Sequence, residues 1–377
     1  MKRILIVIFG ICFLTSSYAF ASEPLPGLNA KSMILTEASS GEILHEYNAD
    51  EKLPIASVTK IMTMLLIMEA LDDGKISYDD MVPVSERAMS MGGSTMFLET
   101  GEQLAVSDML KGIAVASAND GAVAMAEYIA GSEAAFVEMM NDKAKALGMK
   151  NTNFVNTNGL DDDNHYSTAR DVSLMSRELI KHKKIFEYTT IWTDSLRDGK
   201  FQLANTNKLI RFYSGANGLK TGSTSKAMCC ISATAERDGM QLIAVVLGAP
   251  TSKERFAAAR GLLDYGFANY SVRKLAEKNE EICRISVMKG KSSEIPVVVP
   301  EECSLLLKKG IKDEFEKKID LPDSLYAPVE KGEQVGTIEF YIDGELKKKA
   351  DLSAGESVQK KNYFCFLADA FAKLISC

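Results

Sequence analysis

Positive charge is in short supply in this chain. Its 44 lysines and arginines face 51 aspartates and glutamates, for a net charge of −7. No basic field is left for a phosphate backbone, so DNA and RNA are set aside as partners. Histidine is scarcer still. The three present, His45, His165 and His182, are scattered without metal-ligand spacing. That argues against a zinc site and against a Ser-His-Asp triad, and no metal or cofactor is expected. The seven cysteines make neither a C-x-x-C pair nor a dense disulfide framework. Cys229 and Cys230 read as strand residues, while Cys283 and Cys303 are compatible with either a bridge or two free thiols. Internal repeats and low-complexity tracts are absent.

What is present is an ordinary globular composition, 46% hydrophobic and 25% charged. A length of 377 residues exceeds what one core usually serves, so two folded domains are expected. The two ends carry their own signals. Met1-Lys2-Arg3, an apolar run from Ile4 to Leu14 and Ala19-Phe20-Ala21 predict a signal peptide over 1–21, cleaved after Ala21. The run is short for a membrane span, and Ile11 before Cys12 does not suit a lipobox. At the other end, residues 353–377 read as a polar linker and an amphipathic helix. Phe364, Leu367, Phe371 and Leu374 fall on one helical face, with Lys360, Lys361 and Lys373 nearby. Such a helix suits the interface of an anionic membrane, and the alternative is a helix docked on the protein itself. The chain is therefore expected outside the cytoplasm, at the outer face of the membrane or in the wall, held peripherally by its tail.

Between the ends, residues 22–276 predict an α+β domain. Strands at Ser32 to Leu35 and Glu42 to Tyr47 open it, and a hairpin of Met228 to Glu236 and Met240 to Leu247 turns at Asp238-Gly239. Helices are expected at Val58 to Ala70, Val106 to Ala116, Asp120 to Ile129, Glu133 to Leu147, Val172 to Ile180 and Lys253 to Tyr265. Strands at the ends and helices in the middle suggest an antiparallel sheet flanked by helices. Residues 277–352 read as short strands only, a small all-β domain in which Ile338, Phe340 and Ile342 point inward.

Three motifs carry the chemistry. Ser57-Val58-Thr59-Lys60 places a hydroxyl and an amine three residues apart, on one face of a helix. A serine needs a base, and a lysine kept neutral by an apolar surround is one. Alone, the spacing fits a capping serine and a surface lysine equally well. Ser117-Ala118-Asn119 offers a proton relay and an amide, or merely a helix cap. Lys220-Thr221-Gly222 offers a carboxylate grip and an open strand edge, or merely a surface strand.

Taken together and in this order, the motifs form a close version of the S-x-x-K, S-D-N and K-T-G set of penicillin-recognising serine enzymes. The sequence resembles the low-molecular-mass penicillin-binding proteins of the penicillin-binding protein 5 type, the D-alanyl-D-alanine carboxypeptidases. The likeness extends to Pro54 to Thr63, to Asn156-Thr157-Asn158-Gly159-Leu160-Asp161, to Ser167 to Asp171 and to Gly218 to Thr224. It implies a β-lactamase/transpeptidase-like catalytic fold followed by the β domain and tail helix. It also implies that Ser57 forms an acyl-enzyme with Lys60 as base and that Ser117 relays protons. Asn119, Lys220, Thr221 and Gly222 would bind substrate. The implied reaction removes the terminal D-alanine of peptidoglycan stem peptides, with β-lactams as inhibitors. A serine β-lactamase and a D,D-endopeptidase are the alternatives; Ser-Ala-Asn in place of Ser-Asp-Asn, and no E-P-E-L-N-like glutamate between Asn151 and Arg170, disfavour the β-lactamase.

Overall fold

The computed structural model describes residues 25–310 and 314–362. The expected signal segment and the apolar face of the expected tail helix lie outside the described residues.

Strands Ser32–Glu37 (β1), Ile43–Tyr47 (β2), Ala216–Thr224 (β3), Met228–Arg237 (β4) and Met240–Ala249 (β5) form a five-stranded antiparallel sheet. Their order is β2-β1-β5-β4-β3, so β3, which carries Lys220-Thr221-Gly222, is an edge strand. The inner strands are apolar on both faces because both are covered. In β5, Ile243, Val245 and Leu247 face one core while Leu242, Ala244 and Val246 face the other.

The first face is covered by helices Lys60–Asp72 (α1), Asn119–Ala130 (α2) and Ala169–Leu179 (α3). Ten of the 13 residues of α1 are buried, which explains its nearly unbroken apolar sequence. Thr168 caps α3, accepting from Asp171 N at 3.1 Å. The second face is covered by Ser252–Asn269 (α4), through Ala258, Ala259, Leu262 and Leu263.

One expected helix changes character midway. It is α-helical over Val106–Lys111, and Gly112–Ala116 then widens into a π turn. Close packing accompanies the change: a Cβ on Gly112 would collide with Met96 Sδ. The turn ends at Ser117 in the left-handed region, φ 65°, and the chain enters α2 at Asn119.

The second unit begins with Tyr270–Ala276 (β6), directly after α4 and ahead of Glu277, where the β domain is expected to start. Further strands are Glu281–Met288 (β7), Glu294–Val298 (β8), Cys303–Lys308 (β9), Glu316–Asp320 (β10), Leu325–Tyr326 (β11), Gln334–Ile342 (β12) and Glu345–Ala354 (β13). β6 pairs with β9, and the other six form a sheet in the order β10-β12-β13-β8-β7-β11. Ile338 and Phe340 are fully buried and Ile342 is 4% exposed, the inward face anticipated from their alternation. The stretch read as a polar linker from Ser353 is different in the structure. Ser353 and Ala354 end β13, Val358 bridges back to Val329, and Lys360 bridges to Gly290. Val358 is 3% exposed, and burying it outweighs the polar residues around it. Cys229, Cys230, Cys283 and Cys303 are all free thiols.

Phe340→Ala should destabilise the β unit by about 3–5 kcal/mol, since a fully buried aromatic leaves a cavity. Urea unfolding of the full chain followed by circular dichroism measures this, with Leu346→Ala, at a site 46% exposed, as the near-neutral control.

Candidate active site

Ser57 lies on the 3₁₀ turn Ala56–Thr59, which runs straight into α1 at Lys60. Lys60 is completely buried. Its Nζ stands 3.0 Å from Ser57 Oγ, 2.6 Å from Asn119 Oδ1 and 2.8 Å from Asn158 O. Burial lowers its pKa well below the ordinary lysine value, Lys220 lowers it further, and Asp120 pulls the other way. A neutral amine has two N–H groups and one lone pair. With the N–H groups donated to Asn119 Oδ1 and Asn158 O, the lone pair is directed at the Ser57 hydroxyl. The geometry therefore suits proton abstraction from Ser57.

Asn119 is held from both ends of its amide. Its Nδ2 donates to Gly92 O at 2.7 Å while Oδ1 faces Lys60. Its neighbour Asp120 accepts from Met96 N and Leu98 N, fixing the loop above α2. Ser117 is 4% exposed and precedes Asn119 by two residues, at the left-handed end of the π turn.

On the opposite wall, Lys220 is 1% exposed and its Nζ donates to Thr221 O at 3.0 Å. Burial and the Arg255 guanidinium push its pKa down to about 7. Thr221 Oγ1 donates to Thr206 Oγ1 at 2.7 Å. Gly222 packs on the nucleophile turn, where a Cβ would stand 2.8 Å from both Ile55 O and Ser57 N. Gly159, at φ +85°, presses on the same turn from the Asn-rich loop, and a Cβ there would collide with Ala56 O.

The structure thus brings Ser57, Lys60 and Asn119 into one hydrogen-bonded cluster, with Lys220 near enough to perturb Lys60 and Gly222 against the Ser57 backbone. Four contributors were not legible as site residues. Asn158 lends only a carbonyl. Thr206 has no motif around it. Arg255 looks like any helix residue, yet it is 7% exposed and reaches Gly222 O at 3.2 Å. His165, 3% exposed, accepts from Val155 N at Nδ1, which leaves Nε2–H to donate to Thr59 Oγ1 at 2.7 Å.

Burial pushes the His165 pKa down to about 4, against about 6.5 in an unfolded chain. Protonation therefore favours the unfolded state. The contribution of neutral His165 is complete above about pH 6.5 and is lost as pH falls toward 4, to a total of about 3 kcal/mol. Urea titrations from pH 7 to 4 should show wild type losing stability faster than His165→Gln; parallel curves would contradict the assignment.

Comparison with known proteins identifies the family. Residues 19–251 match the Peptidase S11 family, described as D-alanyl-D-alanine carboxypeptidase. Residues 270–360 match the C-terminal domain of penicillin-binding protein 5. The D-alanyl-D-alanine carboxypeptidase DacF of Bacillus subtilis is 46% identical, over 97% of each chain. Penicillin-binding protein 5 from Haemophilus influenzae superposes with a TM-score of 0.75 at 33% identity, over 90% of this chain and 100% of that one. Penicillin-binding protein D2 from Listeria monocytogenes, solved in an ampicillin-bound form, gives 0.59 at 35% identity, over 65% of this chain and 100% of that one. The chain belongs to the D-alanyl-D-alanine carboxypeptidase family and is a serine-type, penicillin-binding hydrolase of the penicillin-binding protein 5 kind.

Proposed function

We propose that Ser57 is the nucleophile and Lys60 its base, in an exported enzyme that removes the terminal D-alanine from peptidoglycan stem pentapeptides. The observation that carries this is the buried Lys60 amine, 3.0 Å from Ser57 Oγ with two other oxygens to take its N–H groups. Ser57 Oγ attacks the carbonyl carbon of the D-Ala-D-Ala bond as its proton passes to Lys60 Nζ. The C–N bond then breaks, and the proton goes by way of Ser117 to the leaving amine of D-alanine. Water cleaves the Ser57 ester, releases the shortened peptide and restores the Ser57 hydroxyl. Lys220 and Thr221 grip the terminal carboxylate. Asn119 orients the substrate amide while holding Lys60. Gly222 keeps the strand edge open to substrate backbone. Penicillin, a strained mimic of the dipeptide, acylates the same Ser57.

D-Alanine should be released from the pentapeptide but not from a cross-linked dimer, and Ser57→Ala should abolish both this release and labelling by a fluorescent penicillin. Labelling that survives Ser57→Ala, or rapid turnover of the penicillin, would refute the reading. Acylation requires neutral Lys60, so its rate falls toward acid pH. Lys220→Gln removes a positive charge that lowers the Lys60 pKa. The acid limb of the penicillin acylation rate should therefore move to higher pH in that variant.

The basic and apolar start of the chain supports export, and the aromatic-rich end supports peripheral membrane association. Among the described residues no helix is long and apolar enough to cross a membrane. A chain ended after Lys360 should leave the membrane fraction for the soluble one while keeping its activity on soluble pentapeptide. Unchanged fractionation would exclude the tail as the anchor.

A further inference from the structure

A groove of about 620 Å³ lies on the α4 face of the catalytic domain, between that helix and the short helix Leu209–Phe212. Its floor is apolar, with Leu209, Ala257 and Gly261. Its rim is cationic: Lys208, Lys253 and Arg260 stand around it, against the single carboxylate of Asp264. Asp264 is itself engaged by the Tyr213 hydroxyl at 2.8 Å.

These three cations are conspicuous in a chain with excess negative charge. Glu254, next to Lys253, accepts hydrogen bonds from Thr251 Oγ1 and Asn29 Nδ2, although the charge of Lys253 also acts on it. No ion pair among the described residues involves Lys208, Lys253 or Arg260, although other lysines and arginines of this domain, such as Arg170 and Arg197, are paired. Lys253, Phe256 and Arg260 sit at i, i+3 and i+7, so they share one face of α4 and spread over about 10 Å of it. Phe212 closes the groove on the other side and is 62% exposed. Its ring is held edge-on by Trp192, centroids 6.0 Å apart, so an exposed aromatic face is fixed in place.

We infer that this groove binds an anionic polysaccharide, with sugar faces on Phe212 and Phe256 and acidic groups on Lys208, Lys253 and Arg260. Cations spaced along a helix fit charge repeated along a chain better than one small anion. A concave, apolar floor fits a strand lying in it better than a flat lipid surface does. The choice of a glycan over another polyanion rests on the wall-peptide reading of the active site; the unpaired cationic groove does not. The groove is also tied to the substrate strand. Asn207, next to Lys208, donates from Nδ2 to Gly218 O at 2.8 Å, and Thr206 accepts from Thr221. A strand held here would be anchored beside the wall of the active site that carries Lys220.

The chain's single tryptophan, Trp192, gives a local readout. Tetragalacturonate added to the full chain should change Trp192 fluorescence saturably, and Arg260→Ala and Phe212→Ala should each weaken it at least tenfold. Maltotetraose, which lacks charge, should not bind. Penicillin labelling of Ser57 should be unchanged in both variants, so failure here and failure of the active-site reading are separable. The proposal is overturned if tetragalacturonate does not bind or is insensitive to both substitutions. It is overturned equally if tetraglutamate, or phosphatidylglycerol vesicles in an Arg260-dependent way, bind more tightly than the sugar.

Discussion

A lysine amine sealed from water is the constraint on which this catalytic domain is built. An isolated charged ammonium could not be kept at that depth. Lys60 persists there because burial favours its neutral form and because three oxygens from three parts of the chain meet it. The apolar length of α1 provides the dry surround, and the five-stranded sheet buries α1. The 3₁₀ turn, the start of α2 and the Asn-rich loop each bring one oxygen to this amine. Lys220, buried on the opposite wall, further disfavours the charged form of Lys60. A carboxylate arriving at Lys220 would relieve part of that strain.

The residues that could be recognised in the sequence are those whose geometry is local. Ser57 and Lys60 are separated by one turn, and the Lys220 strand reads as a strand whatever surrounds it. The inner strands were legible because two apolar faces leave an unbroken hydrophobic run. Ile338, Phe340 and Ile342 were legible because one buried face leaves an alternation. The resemblance to known enzymes added roles that spacing could not supply.

What escaped has a common cause. Asn158 contributes a backbone carbonyl, which any residue carries. Thr206, Arg255 and His165 act across 15, 33 and 106 residues of sequence, and nothing local marks such pairings. The close packing of Met96 over Gly112 beside the π turn is again a tertiary matter. The segment after Ser353 looked like a linker because its polarity is high, but one valine and two bridges are enough to fasten it. Polar composition reports average solvation, not whether a particular backbone finds a partner.

The two glycines against the nucleophile turn have an evolutionary consequence. Gly159 and Gly222 touch it from opposite parts of the chain, and at each the space a Cβ needs is taken by backbone atoms of residues 55–57. Backbone cannot step aside as a side-chain tip can. Every amino acid other than glycine carries a Cβ, so every missense codon at either position displaces the serine that performs the reaction. A lineage under pressure from a β-lactam can therefore reshape the rim of this cleft, but it cannot escape by altering these two contacts without giving up the enzyme.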